Sequence, residues 1–150
     1  MYAGIVAMLI STILGAEASP KRVVEITSAT RAVEAFYAAL KSNDCDAAFG
    51  MLTVEAQTRP QLLLGDVGPS ERTNRHCVIL ASFLAGLAVN IDRPFIKAEV
   101  ISSNTLPAGA ASIIVRLSYE EKSGAAPQEA THYLVQECGT WKIMGKPSLP

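Results

Sequence analysis

The stretch from Ala32 to Gln57 constrains the fold of this chain more than any other segment. It reads AVEAFYAALKSNDCDAAFGMLTVEAQ. Apolar residues recur in its first half at three- and four-residue spacing, which predicts a long amphipathic helix beginning near Thr27 or Ser28. The run Ser42-Asn43-Asp44 then interrupts the pattern and can cap a second, shorter helix. Two such helices need another apolar surface to cover, so the rest of the chain should supply one.

The later part of the chain supplies a third helix and four strands. Residues 74–90 have helical spacing of apolar side chains, with Val78 among the positions expected to face the core. Alternation of apolar and polar residues predicts strands over 95–103, 110–120, 129–137 and 140–146. In the first strand, Ile96, Ala98 and Val100 are expected to share the inner face. Helices followed by antiparallel strands are typical of an α+β domain with its helices on one face of the sheet.

The segment from Met1 to Ala16 contains no charged side chain. It is short for a membrane span, which needs about 20 residues, and it precedes Ala16-Glu17-Ala18, a small-x-small pattern typical of signal-peptide cleavage. No Lys or Arg precedes the apolar run, so an uncleaved anchor and an apolar core helix remain alternatives. We therefore predict a signal peptide or membrane anchor over 1–18 and a single domain over 19–150. The domain would be secreted or periplasmic, or membrane-anchored outside the cytoplasm.

Charge and motif content argue against several classes of function. Without Glu17, thirteen acidic residues balance thirteen basic ones, and no basic stripe is present. Nucleic acid is therefore not an expected partner. The two histidines and three cysteines lack the spacing of a zinc site, so no metal is expected. The glycines at 65 and 68 lack the lysine of a phosphate-binding loop, and no cofactor is predicted.

The three cysteines leave two interpretations open. Cys45 and Cys77 could pair, closing a loop of roughly 33 residues that would stabilise the fold by about 3–4 kcal/mol in the chain-entropy model. Alternatively, all three thiols are reduced, as in a cytosolic protein. Cys138 lies in a predicted turn beside Glu137. Its role is not assigned.

The order of elements resembles a known superfamily. FYAALKSNDCDAAFGMLT is similar to the opening helices of the nuclear-transport-factor-2-like superfamily, and YLVQECGTWKI is similar to its last hairpin. The resemblance covers residues 28–146 and implies a cone-shaped fold, with three N-terminal helices packed on a curved antiparallel sheet of about four strands. It allows a homodimer through the open sheet face. Small exported bacterial members pair cysteines of their second and third helices, which implies a disulfide between Cys45 and Cys77.

Enzymes of this superfamily include ketosteroid isomerases and polyketide cyclases, which need an acid or base inside the cone. In the isomerases a Tyr on the first helix donates a hydrogen bond, and an Asp after the second helix acts as the base. These positions correspond here to Phe36 and to the region of Arg59-Pro60. Both departures weaken the isomerase interpretation. The neighbouring Tyr37 is rotated by about 100° around the helix, so it need not face the same cavity. The resemblance therefore predicts the fold without predicting the isomerase reaction.

We identify no catalytic residues and four candidate ligand-binding residues: Tyr37, Arg116, His132 and Trp141. His132 could face the interior and meet Tyr37 or Arg116, although a His on a solvated or partly buried strand face is the commoner case. Trp141 could bind a partner, although an aromatic at this position commonly packs between helix and sheet.

Three functions follow from these residues. The first is an exported non-catalytic domain that binds a small apolar ligand or a protein partner, in the cone or on the sheet face. The second is an isomerase- or cyclase-like enzyme using Tyr37 and His132, which requires both side chains in one cavity. The third is a membrane-tethered subunit of an envelope assembly, held by an uncleaved N-terminal segment. In the first two cases the membrane is not a partner.

Overall fold

The computed structural model describes residues 20–58, 72–86, 95–120, 122 and 124–145. The helices are α1 (Pro20–Lys41), α2 (Cys45–Gly50) and α3 (Arg72–Gly86), and residues 54–58 are also helical. The strands are β1 (Phe95–Thr105), β2 (Ala111–Tyr119), β3 (Gln128–Glu137) and β4 (Thr140–Ile143). They form one antiparallel sheet in the order β1-β2-β3-β4, with β1 and β4 at its edges.

Helix α1 packs across the inner face of this sheet and contacts β1, β2 and β4, while α2 packs on both α1 and α3. The structure thus confirms the predicted α+β class, with helices covering a four-stranded antiparallel sheet. The arrangement is consistent with the nuclear-transport-factor-2-like fold that the resemblance implies. No helix in the described ranges combines the length and the apolar character that crossing a bilayer requires.

Helix α1 begins two turns earlier than the sequence pattern predicts, at Pro20. Proline suits the first turn of a helix because the amide hydrogen that it lacks has no partner there. The hydroxyls of Thr27 and Ser28 do not cap the helix. They donate to the carbonyls of Val23 and Val24, one turn earlier, at 2.8 and 3.0 Å. The predicted start at these hydroxyls is wrong for that reason.

The break between α1 and α2 follows the prediction. Asn43 adopts a left-handed conformation with φ of 59°, which ends α1. The side chain of Asp44 then accepts a hydrogen bond from the amide of Ala47 at 3.0 Å and caps α2. After α2, the backbone of Met51 and Thr53 pairs with Ile143 of β4 through two hydrogen bonds of 2.9 Å. This pairing fixes α2 to the end of the sheet.

A disulfide joins the start of α2 to α3, as predicted. Cys45 and Cys77 form this bond with their Cα atoms 5.1 Å apart. A second contact lies one residue away on each helix, where Nδ1 of His76 and Oδ1 of Asp46 are 2.5 Å apart. The His76 ring also stacks on Phe49 with a centroid distance of 3.9 Å. Three adjacent contacts therefore hold α2 and α3 together.

Helix α3 differs from the predicted helix over 74–90. It begins at Arg72, and its described part ends at Gly86, so residues 87–90 lie outside the described residues. Val78, which was expected in the core, is 47% exposed. The buried side chains are instead Ile79, Leu80 and Leu84. Successive helix residues are rotated by about 100°, so Val78 does not share the buried face of the helix with these residues.

Strand β2 shows the clearest agreement between sequence and structure. Its buried residues alternate with less buried ones along the whole strand: Ala111, Ile113, Val115, Leu117 and Tyr119 face inward. The turn between β3 and β4 also falls where predicted. Cys138 and Gly139 both have positive φ, 50° and 77°, the conformation that a tight two-residue hairpin requires.

Strand β1 departs from simple alternation because it contains two register irregularities against β2. One lies between Phe95 and Lys97, and the other lies between Val100 and Ser102. The first irregularity moves Ile96 out of the pairing and leaves it 49% exposed. The prediction that Ile96 shares the inner face with Ala98 and Val100 is therefore wrong for Ile96, although the other two do pair with inward residues of β2.

Candidate functional site

Tyr37 and His132 meet in the middle of the core. Tyr37 lies on α1, and His132 lies on β3 directly opposite Ile113 of β2. The Tyr37 hydroxyl oxygen and His132 Nε2 are 2.6 Å apart, and the two side chains are 2% and 1% exposed. The alternative of a solvated His132 is therefore wrong. Two of the four candidate residues are brought together, 95 positions apart in sequence.

Aromatic rings enclose this pair. Phe36 contacts Tyr37 and His132 edge-on, with centroid distances of 5.4 and 6.1 Å. Phe95 of β1 contacts Tyr37 from the other side at 5.7 Å. Such edge-to-face packing excludes water and lowers the local dielectric. The hydrogen bond is therefore made inside an apolar shell.

Burial changes the proton affinity of both groups. It lowers the pKa of the His132 imidazole from 6.5 to about 4. Burial also raises the pKa of the Tyr37 hydroxyl well above its usual value of 10, with a smaller contribution from the neighbouring Tyr119. In each case the cause is the cost of holding a charge away from water. Both groups are therefore neutral at pH 7.

The tautomer of His132 follows from counting partners. Nδ1 of His132 is buried and has no hydrogen-bond partner among the described residues. If the Tyr37 hydroxyl donates to Nε2, only the Nδ1 hydrogen remains unpaired. If Nε2 donates instead, both the hydroxyl hydrogen and the Nδ1 lone pair remain unpaired. The first arrangement leaves fewer orphaned groups and is the less costly one.

The other two candidates lie elsewhere. Arg116 is on the outer face of the sheet, 47% exposed, and its Nη2 donates to Oε1 of Glu129 at 2.9 Å. Trp141 is partly buried and lines a separate cleft of about 430 Å³ between the first turns of α1 and the turn from β1 to β2. The expectation that Arg116 could share a pocket with His132 is wrong because successive strand positions alternate between the two faces.

A second concave surface lies next to the enclosed Tyr37–His132 pair. We call it the α1–β1 groove; its volume is about 210 Å³. Its lining is formed by Val33, Glu34, Tyr37, Ala38, Lys41, Phe95, Ile96, Lys97, Ala98, Val100 and Val115. Tyr37 is only 2% exposed but is among the residues that border the groove, so the groove lies next to the enclosed pair. Sequence reasoning missed the other lining residues because nothing in the pattern shows that α1 lies along the edge strand β1.

Metal coordination finds no support in the part of the chain that the structure describes. No three His, Cys, Asp or Glu side chains converge there on one point. The imidazole of His76 contacts one carboxylate and one aromatic ring.

The Tyr37–His132 hydrogen bond should contribute measurably to stability. Replacing Tyr37 by Phe leaves Nε2 of His132 unpaired in the core, and we expect a loss of about 1–3 kcal/mol in the free energy of unfolding. Urea denaturation measures this loss. The matched control is Tyr133→Phe on the outer face of the sheet, which we expect to change stability by less than about 0.5 kcal/mol. Equal effects of the two substitutions would contradict a stabilising role for the buried bond.

Comparison with known proteins adds one similar structure. No protein-family model matches the sequence, and no curated protein matches it. A solved structure from Campylobacter jejuni, named as an NTF2-like transpeptidase, aligns with 86% of this chain and 100% of that chain. The sequence identity is 12% and the TM-score is 0.45. A likeness at this level carries no conclusion about the activity of this chain.

Proposed function

We propose that this chain is an exported, non-catalytic domain that binds a small apolar ligand in the α1–β1 groove. The observation that carries this proposal is an open groove that lies next to the enclosed Tyr37–His132 pair, with Tyr37 at the border between them. The hydroxyl of the buried Tyr37 is bonded inside the core to a neutral His132, and the open groove that Tyr37 borders is lined mainly by apolar residues. A binding function uses the groove, and it requires nothing from the enclosed pair except rigidity.

The apolar character of the groove favours a ligand of the same character. Phe95, Ala98 and Val100 line it from the strand, and Ala38 lines it from the helix. Ile96, at its rim, is 49% exposed. Each methylene that leaves water for such a surface contributes about 0.8 kcal/mol. In a series of alkanols, affinity should therefore rise about fourfold for each added carbon until the groove is filled.

Filling the groove with a side chain tests the proposal directly. Ala38 is exposed on α1 and lines the groove, so Ala38→Phe should occupy the space and weaken binding of 1-octanol at least tenfold. The matched control is Ala35→Phe, at an exposed position on the same helix that does not line the groove. Calorimetry on the purified domain measures both affinities. Equal affinity for the wild-type chain and Ala38→Phe would show that the ligand binds elsewhere.

A second candidate function is favoured by one observation, the 2.6 Å contact between Tyr37 and His132. An isomerase- or cyclase-like enzyme could use these groups for proton transfer next to a carbonyl if the core opened to admit substrate. Deuterium exchange at carbon atoms beside a carbonyl, followed by NMR, tests this reaction. Catalysed exchange that Tyr37→Phe abolishes would replace the binding proposal with the enzymatic one. A protein partner becomes the preferred ligand if no small apolar compound binds.

Export is part of the proposal and is supported by the Cys45–Cys77 disulfide, since such bonds persist in oxidising compartments. The segment 1–18 lies outside the described residues. The intact mass of the native protein tests cleavage: a mature chain beginning at Ser19 in the soluble fraction supports export without a tether. Retention of Met1–Ala16 in the membrane fraction would support the third function, a tethered subunit of an envelope assembly.

A further inference from the structure

We propose that the ligand of the α1–β1 groove is an anionic amphiphile, with an apolar tail in the groove and a carboxylate held by Lys41. This inference rests on the proposed function and adds the chemical class of the ligand. It starts from the uneven distribution of charge around the groove. Lys41 and Lys97 lie at one end beside Ile96, and Glu34 lies on the helix seven residues before Lys41.

Lys41 carries the charge that is available to a ligand. Its ammonium group donates to the carbonyl oxygen of Ile96 at 2.9 Å, which is a neutral acceptor. An ammonium group has three donors, and no carboxylate pairs with Lys41 among the residues that the structure describes. The charge of Lys97, by contrast, is balanced by Glu99 at 3.1 Å. Lys41 is therefore the groove cation for which the described residues supply no anionic partner.

The end of α1 does not itself require this cation. Carbonyl groups at the end of a helix carry a partial negative charge that a lysine can neutralise. Here the carbonyls of Ala38, Ala39 and Leu40 already accept hydrogen bonds from the backbone amides of residues 42–44. The ammonium group of Lys41 instead reaches across the groove to β1. This bond uses one of its three donors, which leaves two for a bound carboxylate.

The spacing of the charges sets the direction of the ligand. Glu34 and Lys41 are seven residues apart on one helix, which corresponds to about 10 Å along the helix axis. A carboxylate at Lys41 is therefore far from the Glu34 carboxylate, and most of their repulsion is screened over this distance at physiological salt. The tail then runs from Lys41 past Tyr37 and Phe95 toward Val100. The inner wall that Tyr37 contributes is held in place by its bond to His132.

The test compares ligands that differ only in the head group. Octanoate, 1-octanol and octylamine are titrated into the wild-type domain by calorimetry at physiological salt. We expect octanoate to bind about two- to fivefold more tightly than 1-octanol, because a partly exposed charge pair contributes up to about 1 kcal/mol. Octylamine should bind no more tightly than the alcohol. The preference for octanoate should fall as sodium chloride is raised, since salt screens the interaction.

Substitution of Lys41 identifies the residue responsible. In Lys41→Gln, the preference should disappear, so that octanoate binds no more tightly than 1-octanol binds to the same variant. The matched control is Lys142→Gln, because the ammonium group of Lys142 also donates to a backbone carbonyl, that of Gly50 at 2.6 Å, away from the groove. The control should retain the preference for octanoate.

The outcomes separate this inference from the proposed function. If 1-octanol and octanoate bind equally well to the wild-type chain, the anionic ligand is excluded and the apolar site stands. If Lys41→Gln keeps the preference for octanoate, Lys41 does not hold the carboxylate and the inference is overturned, while the apolar site stands. If neither compound binds, the proposed function fails and this inference fails with it. If Lys41→Gln loses the preference for octanoate but still binds 1-octanol, and Lys142→Gln keeps the preference, the assignment of the carboxylate to Lys41 is supported.

Discussion

Replacing both Cys45 and Cys77 by Ser should lower the free energy of unfolding by about 3–4 kcal/mol. The bond connects residues 32 positions apart, and it restricts the unfolded chain more than it restricts the folded one. Without it, the N-terminal end of α2 is held to α3 by the contact of His76 with Asp46 and by its stacking on Phe49. Both contacts involve a partly exposed imidazole and cannot replace a covalent bond. Urea denaturation of the wild-type and double-Ser chains measures the difference.

The third cysteine provides the control for this measurement. Cys138 is exposed in the turn between β3 and β4 and forms no disulfide. Cys138→Ser should change stability by less than about 0.5 kcal/mol, and this variant should remain sensitive to a reducing agent. The double-Ser chain should not respond to the reductant. If wild-type and double-Ser chains unfold at the same urea concentration, the disulfide does not stabilise this fold.

The features that sequence analysis predicted correctly depend on local chemistry. Asp44 caps α2 because its carboxylate can reach the amide of Ala47, three residues away. The burial of side chains alternates along β2 because only one face of the strand packs on the helices. The Cys138-Gly139 turn needs only two residues that accept positive φ. In each case the residues that determine the structure are neighbours in the chain, so their pattern is readable.

The features that were wrong or missed depend on partners that are distant in sequence. The exposure of Ile96 arises from a register irregularity between β1 and β2, which leaves no trace in the alternation of β1 alone. The α1–β1 groove exists because Lys41 lies beside Ile96, 55 residues later. Neither segment contains a sequence pattern that predicts this proximity.

The burial of two adjacent residues on α1 also depends on distant partners that the local sequence does not show. Phe36 and Tyr37 point in directions about 100° apart, and a single covering surface would bury only one of them fully. The structure buries both because α1 is covered from two sides. Phe36 packs toward Phe83 of α3 at 6.3 Å, whereas Tyr37 packs toward Phe95 of β1 at 5.7 Å. A sheet together with a layer of helices is needed to produce the enclosed Tyr37–His132 pair.

Acidification from pH 6.5 to pH 4 should destabilise the protein by about 3 kcal/mol through His132 alone. Its pKa is lowered by burial to about 4 in the folded state, against 6.5 in the unfolded chain. Between these values the unfolded chain binds a proton that the folded chain does not, so stability falls as the pH falls. Above pH 6.5 the imidazole is neutral in both states and contributes no dependence. Below pH 4 both states are protonated, and the loss levels off.

Carboxylates also titrate in this range, so the contribution of His132 must be measured as a difference. Urea denaturation of the wild-type chain and of His132→Gln between pH 7 and pH 4 gives two curves. The free energy of unfolding of the wild-type chain minus that of His132→Gln should fall by about 3 kcal/mol between pH 7 and pH 4. His76→Gln changes a partly exposed position, and this variant should keep the part of the pH dependence of stability that His132 causes. NMR titration of the His132 ring provides an independent reading in the folded protein. A midpoint near 6.5 would show that the imidazole reaches water, and the enclosed pair on which the non-catalytic proposal depends would have to be abandoned.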